Sequence, residues 1–550
     1  MQQGYFRFHI LLLLFFCTVA TSKSPSASEL GMNLAAVVDW GSQLPFLDLA
    51  KQSREWVAQK TGAPWGKGGE LELTEDGWVA RLKPGQHADL IFLTLRGNPL
   101  YSHYRVTYDG EGEIRYMLAA DLHKRDRSNN TDHITVRYKQ DSGVTYAVLR
   151  IVNTNVRNPI RNIRIVPSRY VELHDNGEHF NPDWLRIIRN FKVIRYMDWM
   201  KTNNSRLEKW SDRPLPGDRS WSPKGVPVEI MVALSNRTKS SPWFTMPHRA
   251  TDEYIQKFAQ FVRDNLDSDL KVYVEYSNEV WNRMFTQFSY AQERAFEFFG
   301  NREAVLQWYG LRAGQICEVW KRIFAKQAHR VQCIVSTHTF AMGRERQILE
   351  CPLWQKTSSK RCIDLGIDAL AITGYFSGCL HGMTNNPSGN KIELIRSWAW
   401  AGRKGLDLAF KQLQSGSEFA CFDTLLETKK RYEYYKRVAD QYGIQLHVYE
   451  GGSHITGLGT PIQRDAKVFE FLHKVNRDSR IFDAYMKNFH NWKNINGSLF
   501  MHYLDVQPAG YSGIFGALES LNDLDAPKYK ALLEFMKENN RFPPQTLNSP

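Results

Sequence analysis

Val272-Tyr273-Val274-Glu275-Tyr276-Ser277-Asn278-Glu279-Val280-Trp281-Asn282 opens with an apolar and aromatic run and closes on a polar cluster holding Asn278, Glu279 and Trp281. Such a run reads as a buried parallel strand whose carboxyl end opens into solvent. Leu446-His447-Val448-Tyr449-Glu450-Gly451-Gly452 has the same form: a short hydrophobic strand ending on a glutamate, with two glycines turning the backbone away.

Working outward from these stretches, the chain alternates helix and strand from Asn181 onward. Candidate strands are Phe191–Met197, Ser241–His248, the Val272 stretch, Val331–Ser336, Ala369–Thr373, the Glu450 stretch and Ser498–Met501, each preceded by a helical segment. An earlier run, Gly31–Val38, reads as a first strand ending at Asp39 and Trp40. Eight strands in this rhythm predict an α/β fold, a (β/α)₈ TIM barrel. An open doubly wound sheet is the alternative, but no Gly-x-Gly-x-x-Gly follows any strand. Between about Trp65 and Val166 the pattern becomes period-two alternation broken by turn signals such as Asp109-Gly110-Glu111-Gly112. That predicts an inserted antiparallel β-sandwich. The expected organisation is a signal peptide over 1–22, the first strand and its connection over 23–60, the sandwich over 61–170 and the rest of the barrel over 171–550.

In such a barrel, reactive residues gather at the carboxyl ends of the strands. Those ends carry Asp39 and Trp40; Arg195 and Asp198; Trp243 and His248; Asn278 and Glu279; His338; Tyr375; Glu450; His502 and Tyr503. Taken singly, a histidine or a strand-end glutamate is most often structural. Taken together, two glutamates in one opening are the minimum equipment for hydrolysing a glycosidic bond. Candidate catalytic residues are therefore Glu279 and Glu450. Candidate substrate-binding residues are Asn278, Arg195, Tyr375, His338, Trp281, Trp243, His248, Asp198 and Tyr503. His248, His338, His447 and His502 lack any metal-ligand spacing, so no metal and no cofactor is expected. No Gly-x-Ser-x-Gly signals a serine hydrolase.

Asn278-Glu279 after the fourth strand and Glu450 after the seventh resemble the clan A retaining glycoside hydrolases. The resemblance implies that Glu279 is the acid/base and Glu450 the nucleophile. Arg195 is similar to the arginine that clan places beside the nucleophile, Tyr375 to its nucleophile-contacting tyrosine, and His338 to a frequent fifth-strand histidine. Ser277–Asn282, Pro242–His248 and His447–Gly452 also resemble bacterial proteins loosely described as cellulose-binding. The likeness spans roughly residues 31–40 and 181 to the C-terminus and leaves the sandwich unaccounted for. It departs at the eighth strand end, where many clan members have tryptophan and this chain has His502-Tyr503. A carbohydrate-binding protein on a barrel that has lost catalysis is the alternative function.

Composition sets the remaining expectations. Apolar residues make up 42% and charged residues 23% of 550, an ordinary globular balance. The 16 Trp, 24 Tyr and 30 Phe suit sugar-stacking platforms as well as a ring-rich core. Arg7 followed by the apolar run Ile10–Val19 and small residues reads as a secretory signal, too short for a permanent span. The C-terminal Arg541–Pro550 has no hydrophobic tail for an anchor. A secreted, extracellular protein follows, with no membrane partner. Beyond Cys17, six cysteines lie between Cys317 and Cys421, and pairing in sequential order is the simplest disulfide arrangement. Asn129, Asn203, Asn236 and Asn496 begin glycosylation sequons. The net charge of +13 suits an acidic polysaccharide among carbohydrate substrates, though a solvated, mildly basic surface is the simpler meaning. The charges are scattered and no nucleic-acid motif is present, so no nucleic-acid partner is expected.

Overall fold

The computed structural model describes residues 29–138, 143–381, 390–460, 462–511 and 513–539; the expected signal peptide lies outside them. Eight parallel strands close into a barrel in chain order: Glu29–Asn33, Val193–Arg195, Ser241–Met246, Val272–Tyr276, Val331–Ser336, Ala369–Phe376, Gln445–Ser453 and Leu499–His502. The ring closes where Leu30 pairs with Phe500 and Met32 with His502. Alternate residues turn inward. Val193, Trp243, Tyr273, Ile334, Ala369, Ala371, Tyr449, Leu499 and Met501 fill the interior as one apolar cluster. Gly31 makes room for it, because a Cβ there would lie 2.2 Å from the Met501 sulfur and 2.8 Å from the Val193 carbonyl oxygen.

The first strand is shorter than its sequence suggests, stopping at Asn33. Leu34 still donates its N–H to the Arg195 carbonyl at 3.3 Å, but Ala35 turns away, donating to the Asp505 carboxylate and packing on Leu504 and Phe515 from the loop after the eighth strand. Asp39 and Trp40 therefore do not end a strand; they lie on the loop that leads into the insert. Asp39 is fully buried and accepts two hydrogen bonds from the Arg54 guanidinium, at 2.8 and 2.6 Å, which anchors that loop.

The insert consists of two four-stranded antiparallel sheets and a two-stranded ribbon. Phe92 and Tyr104, from different sheets, face each other with ring centroids 6.4 Å apart. Two of its strands escape a reading based on alternation. Val57–Lys60 and Ala120–Asp126 are sheet-edge strands, and the second is mostly exposed and polar. Also unread are the helices Asn390–Trp400 and Arg403–Ser415, which lie between the sixth strand and helix Leu425–Tyr442.

The six cysteines pair in sequential order, Cys317–Cys333, Cys351–Cys362 and Cys379–Cys421. The first ties helix Val305–Phe324 to the fifth strand. Among the described residues, no helix is long and apolar enough to cross a membrane.

Candidate active site

Arg195, the last residue of the second strand, is fully buried at the centre of the barrel mouth. Its Nη1 donates to Glu450 Oε1 at 2.8 Å and to Asn33 Oδ1 at 3.1 Å. Its Nη2 donates to Glu275 Oε2 and Asn278 Oδ1, both at 2.9 Å. Trp243 lies beneath the guanidinium and donates its indole N–H to Glu275 at 3.0 Å. A charge this deep is tolerable only when paired and hydrogen-bonded. Arg195→Met should therefore strand Glu275 and Glu450 and cost about 3–5 kcal/mol of stability, measured by urea denaturation. Arg195→Lys should not restore the loss, because one ammonium cannot span four acceptors in a fixed plane.

Glu450 reaches this cation through a defect in its strand. Ile372 pairs with Val448, but Thr373 pairs with Glu450, so one extra residue is inserted at Tyr449. His447 and Tyr449 face the interior, the His447 ring lying 6.3 Å from Trp243. In an unbroken strand the next residue would face the outer helices. The bulge turns Glu450 into the mouth instead, where the Tyr375 hydroxyl donates to its Oε2 at 3.1 Å. Gly452 completes the turn at φ +123°, where a Cβ would lie 2.8 Å from the Tyr485 hydroxyl.

Glu279 sits just past the fourth strand on strained backbone. Ser277 and Glu279 have φ of 60° and 44°, the left-handed region that non-glycine residues rarely adopt. Side-chain bonds hold the kink in place: Asn278 donates to Asn203 at 3.1 Å, and Gln287 donates to Asn203 and to the Asn278 carbonyl, both at 2.8 Å. The carboxyl of Glu279 accepts from the Tyr449 hydroxyl and the Asn282 amide, each at 2.9 Å.

The electrostatics separate the two glutamates. Burial, and then the negative charge of Glu450, push Glu279 up to about 7. Burial also raises Glu450, but the Arg195 guanidinium and the Tyr375 hydroxyl oppose it. Asp198 is a third acid here, raised to about 7 by burial and by the Glu450 charge, with the Tyr503 hydroxyl 3.4 Å away. Arg195 bonds to Glu275 and Glu450 and makes no hydrogen bond to Glu279 or Asp198. Protons taken up by this cluster therefore go to Glu279 and Asp198 in preference to Glu450, which lies against the cation.

Arg195, Asp198, Asn278, Glu279, Tyr375, Glu450 and Tyr503 thus meet in one network. Trp281 and His338 form a separate half-buried pair with rings 4.4 Å apart. Two expected ligand contacts are corrected. Trp243 is fully buried below Arg195 and offers no face to a sugar, while His248 is 3% exposed, packed 5.3 Å from Tyr290. A strand-end residue can point down into the barrel as easily as up, and these two are covered. Glu275, Asn33, Tyr449, Asn203, Asn282 and Gln287 complete the site without having been singled out. Glu275 had a signal, since period two places it on the face of Tyr273, and a carboxylate at an inward barrel position requires a cation. Among the described residues, the two groups with metal-like donor clustering are Cys317, Cys333 and Asp368, and Cys379, Cys421 and Asp423. Their cysteines are disulfides, with no thiolate to offer a metal.

No family model matches the chain, and no curated protein matches it. Solved structures of similar architecture include the N-terminal endo-1,4-β-D-xylanase 10B of Clostridium thermocellum in complex with xylohexaose. That likeness has 10% identity and a TM-score of 0.35, over 91% of this chain and 96% of that one. The β-glycosidase of Thermosphaera aggregans is similar at 11% identity and a TM-score of 0.35, over 68% of this chain and 86% of that one. Fungal β-1,4-galactanase is similar at 11% identity and a TM-score of 0.32, over 66% and 96%.

Proposed function

We propose that this protein is an exported glycoside hydrolase that cleaves a β-linked glycoside or polysaccharide with retention of anomeric configuration. One observation carries the reading: two glutamates share one barrel mouth in unlike surroundings, Glu450 against a cation and Glu279 against neutral donors. The three disulfides suit the export that the N-terminal sequence suggests.

In the first step the Glu450 carboxylate attacks the anomeric carbon while Glu279 gives its proton to the departing glycosidic oxygen. Ester formation removes the Glu450 charge, and with it one of the two causes that hold Glu279 protonated. Glu279 then takes a proton from water, which attacks the anomeric carbon and releases Glu450 as the carboxylate. Asn278, braced by Arg195 and Asn203, is placed to bond the sugar 2-hydroxyl, a contact that strengthens in the transition state. Asp198 and Tyr503 lie on the Glu450 side and would hold the same ring.

The test is a panel of β-linked glycans with the product anomer followed by NMR from the first turnover. Retention is expected, and initial release of the inverted anomer would refute the double displacement.

A further inference from the structure

A cavity of about 610 Å³, sharing no residue with the carboxylate network, opens among helices Arg403–Ser415, Ala466–Arg477 and Arg480–Asn494. This volume falls in the range of ~300–1,000 Å³ typical of small-ligand sites. Its wall holds four cations, Arg403, Lys467, Lys474 and Arg480, against two anions, Glu470 and Asp478. Glu470 is shared by two ammonium groups, Lys467 at 3.3 Å and Lys474 at 2.7 Å. Arg480 is shared by Asp478 at 2.8 Å and Asp407 at 2.6 Å, and Arg403, near Asp478, forms no ion pair of its own among the described residues. Four cations thus face three carboxylates, which leaves one positive charge in excess, and Lys467, Lys474 and Arg480 are held in place around the opening.

Beside it stands Trp400, 75% exposed, with the Lys467 ammonium 5.2 Å from its ring centroid. An indole this exposed gains little from the fold and leaves its ring face open to a ligand. An aromatic face and a pair of cations suit different halves of one ligand: the C–H face of a sugar ring packs on the indole, and a carboxylate bonds the cations. Nucleic acid is the less suitable polyanion, because one ring beside one compact pocket does not form a track along a phosphate backbone.

We propose that this pocket is a second binding site, which takes a uronate unit of an acidic polysaccharide, with Trp400 against the ring and Arg403 with Lys467 or Lys474 on the carboxylate. The site does not depend on the proposed hydrolysis. It would tether the protein to its polymer, and it gives a location to part of the net charge of +13.

Affinity electrophoresis of the full chain through polygalacturonate tests this, alongside the same polymer after carboxyl reduction and a duplex DNA of similar length. The parent protein should be retarded by polygalacturonate, several-fold less by the reduced polymer, and less at 300 mM than at 50 mM salt. Trp400→Ala and Arg403→Glu change exposed positions and should each weaken retardation by about tenfold. The thermal melts of both variants should match that of the parent, and this reading separates failure of the site from failure of the fold. Full retardation of both variants, no retardation of the parent, or equal retardation by the reduced polymer would overturn the proposal. Equal retardation by DNA would also overturn it, leaving a general polyanion surface.

Discussion

Glu450→Ala should abolish turnover, with kcat falling on the order of 10⁴- to 10⁶-fold, the range seen when a hydrolase loses its nucleophile. The size of the effect follows from what the side chain does. It supplies the atom that attacks, and the other carboxylates in the mouth are poor replacements: Glu275 is sealed beneath Arg195, and Asp198, raised to about 7 and lying against the Tyr503 hydroxyl, is a weaker anion. The fold should survive, because Arg195 keeps Glu275, Asn33 and Asn278 as partners. Azide added to the variant should enter the vacated space, restore part of the turnover on an activated aryl glycoside and yield a product of inverted configuration. A variant that keeps parental activity without azide would remove Glu450 from the chemistry.

Glu279→Gln should lower kcat/KM by about 10²–10⁴-fold on substrates with a poor leaving group, the usual contribution of a positioned acid. On a dinitrophenyl glycoside, whose leaving group needs no proton, the first step should stay near the parental rate. The pH profile provides the sharper check. Activity requires protonated Glu279, so the parent should lose activity as pH rises through about 7, and the variant should lack that limb. Stability has the same sign. A carboxyl raised on folding keeps a proton that the unfolded chain has released, so native stability falls as pH climbs from the ordinary glutamate range to about 7. Glu279→Gln should accordingly gain stability relative to the parent between pH 5 and pH 8 in thermal melts.

The barrel was legible because its strands are buried on both faces. Val272–Tyr276 and Val331–Ser336 stand out as short, largely apolar runs. Edge strands such as Ala120–Asp126 carry no such signal, because little of their side-chain surface is buried. The network of Arg195, Asn278, Glu279, Tyr375 and Glu450 could be assembled from strand ends alone, because barrel topology brings them together. What strand ends do not encode is orientation. Trp243 and His248 occupy equivalent positions and face protein, whereas Glu450 faces the mouth only through a bulge that no local residue pattern announces. Asn203 and Gln287 lie outside the strands, and only the folded chain shows that they brace Asn278.

The central claim is that Glu450 forms a covalent bond to the sugar while Glu279 manages the proton. Incubation with a panel of activated 2-deoxy-2-fluoroglycosides, followed by intact-mass measurement and peptide mapping, tests it most directly. The account predicts one glycosyl adduct per chain, located on Glu450 and formed more slowly in Arg195→Met than in the parent. An adduct on Glu279, Asp198 or any other residue, or rapid turnover of a true substrate with no adduct trapped by its fluorinated analogue, would contradict it.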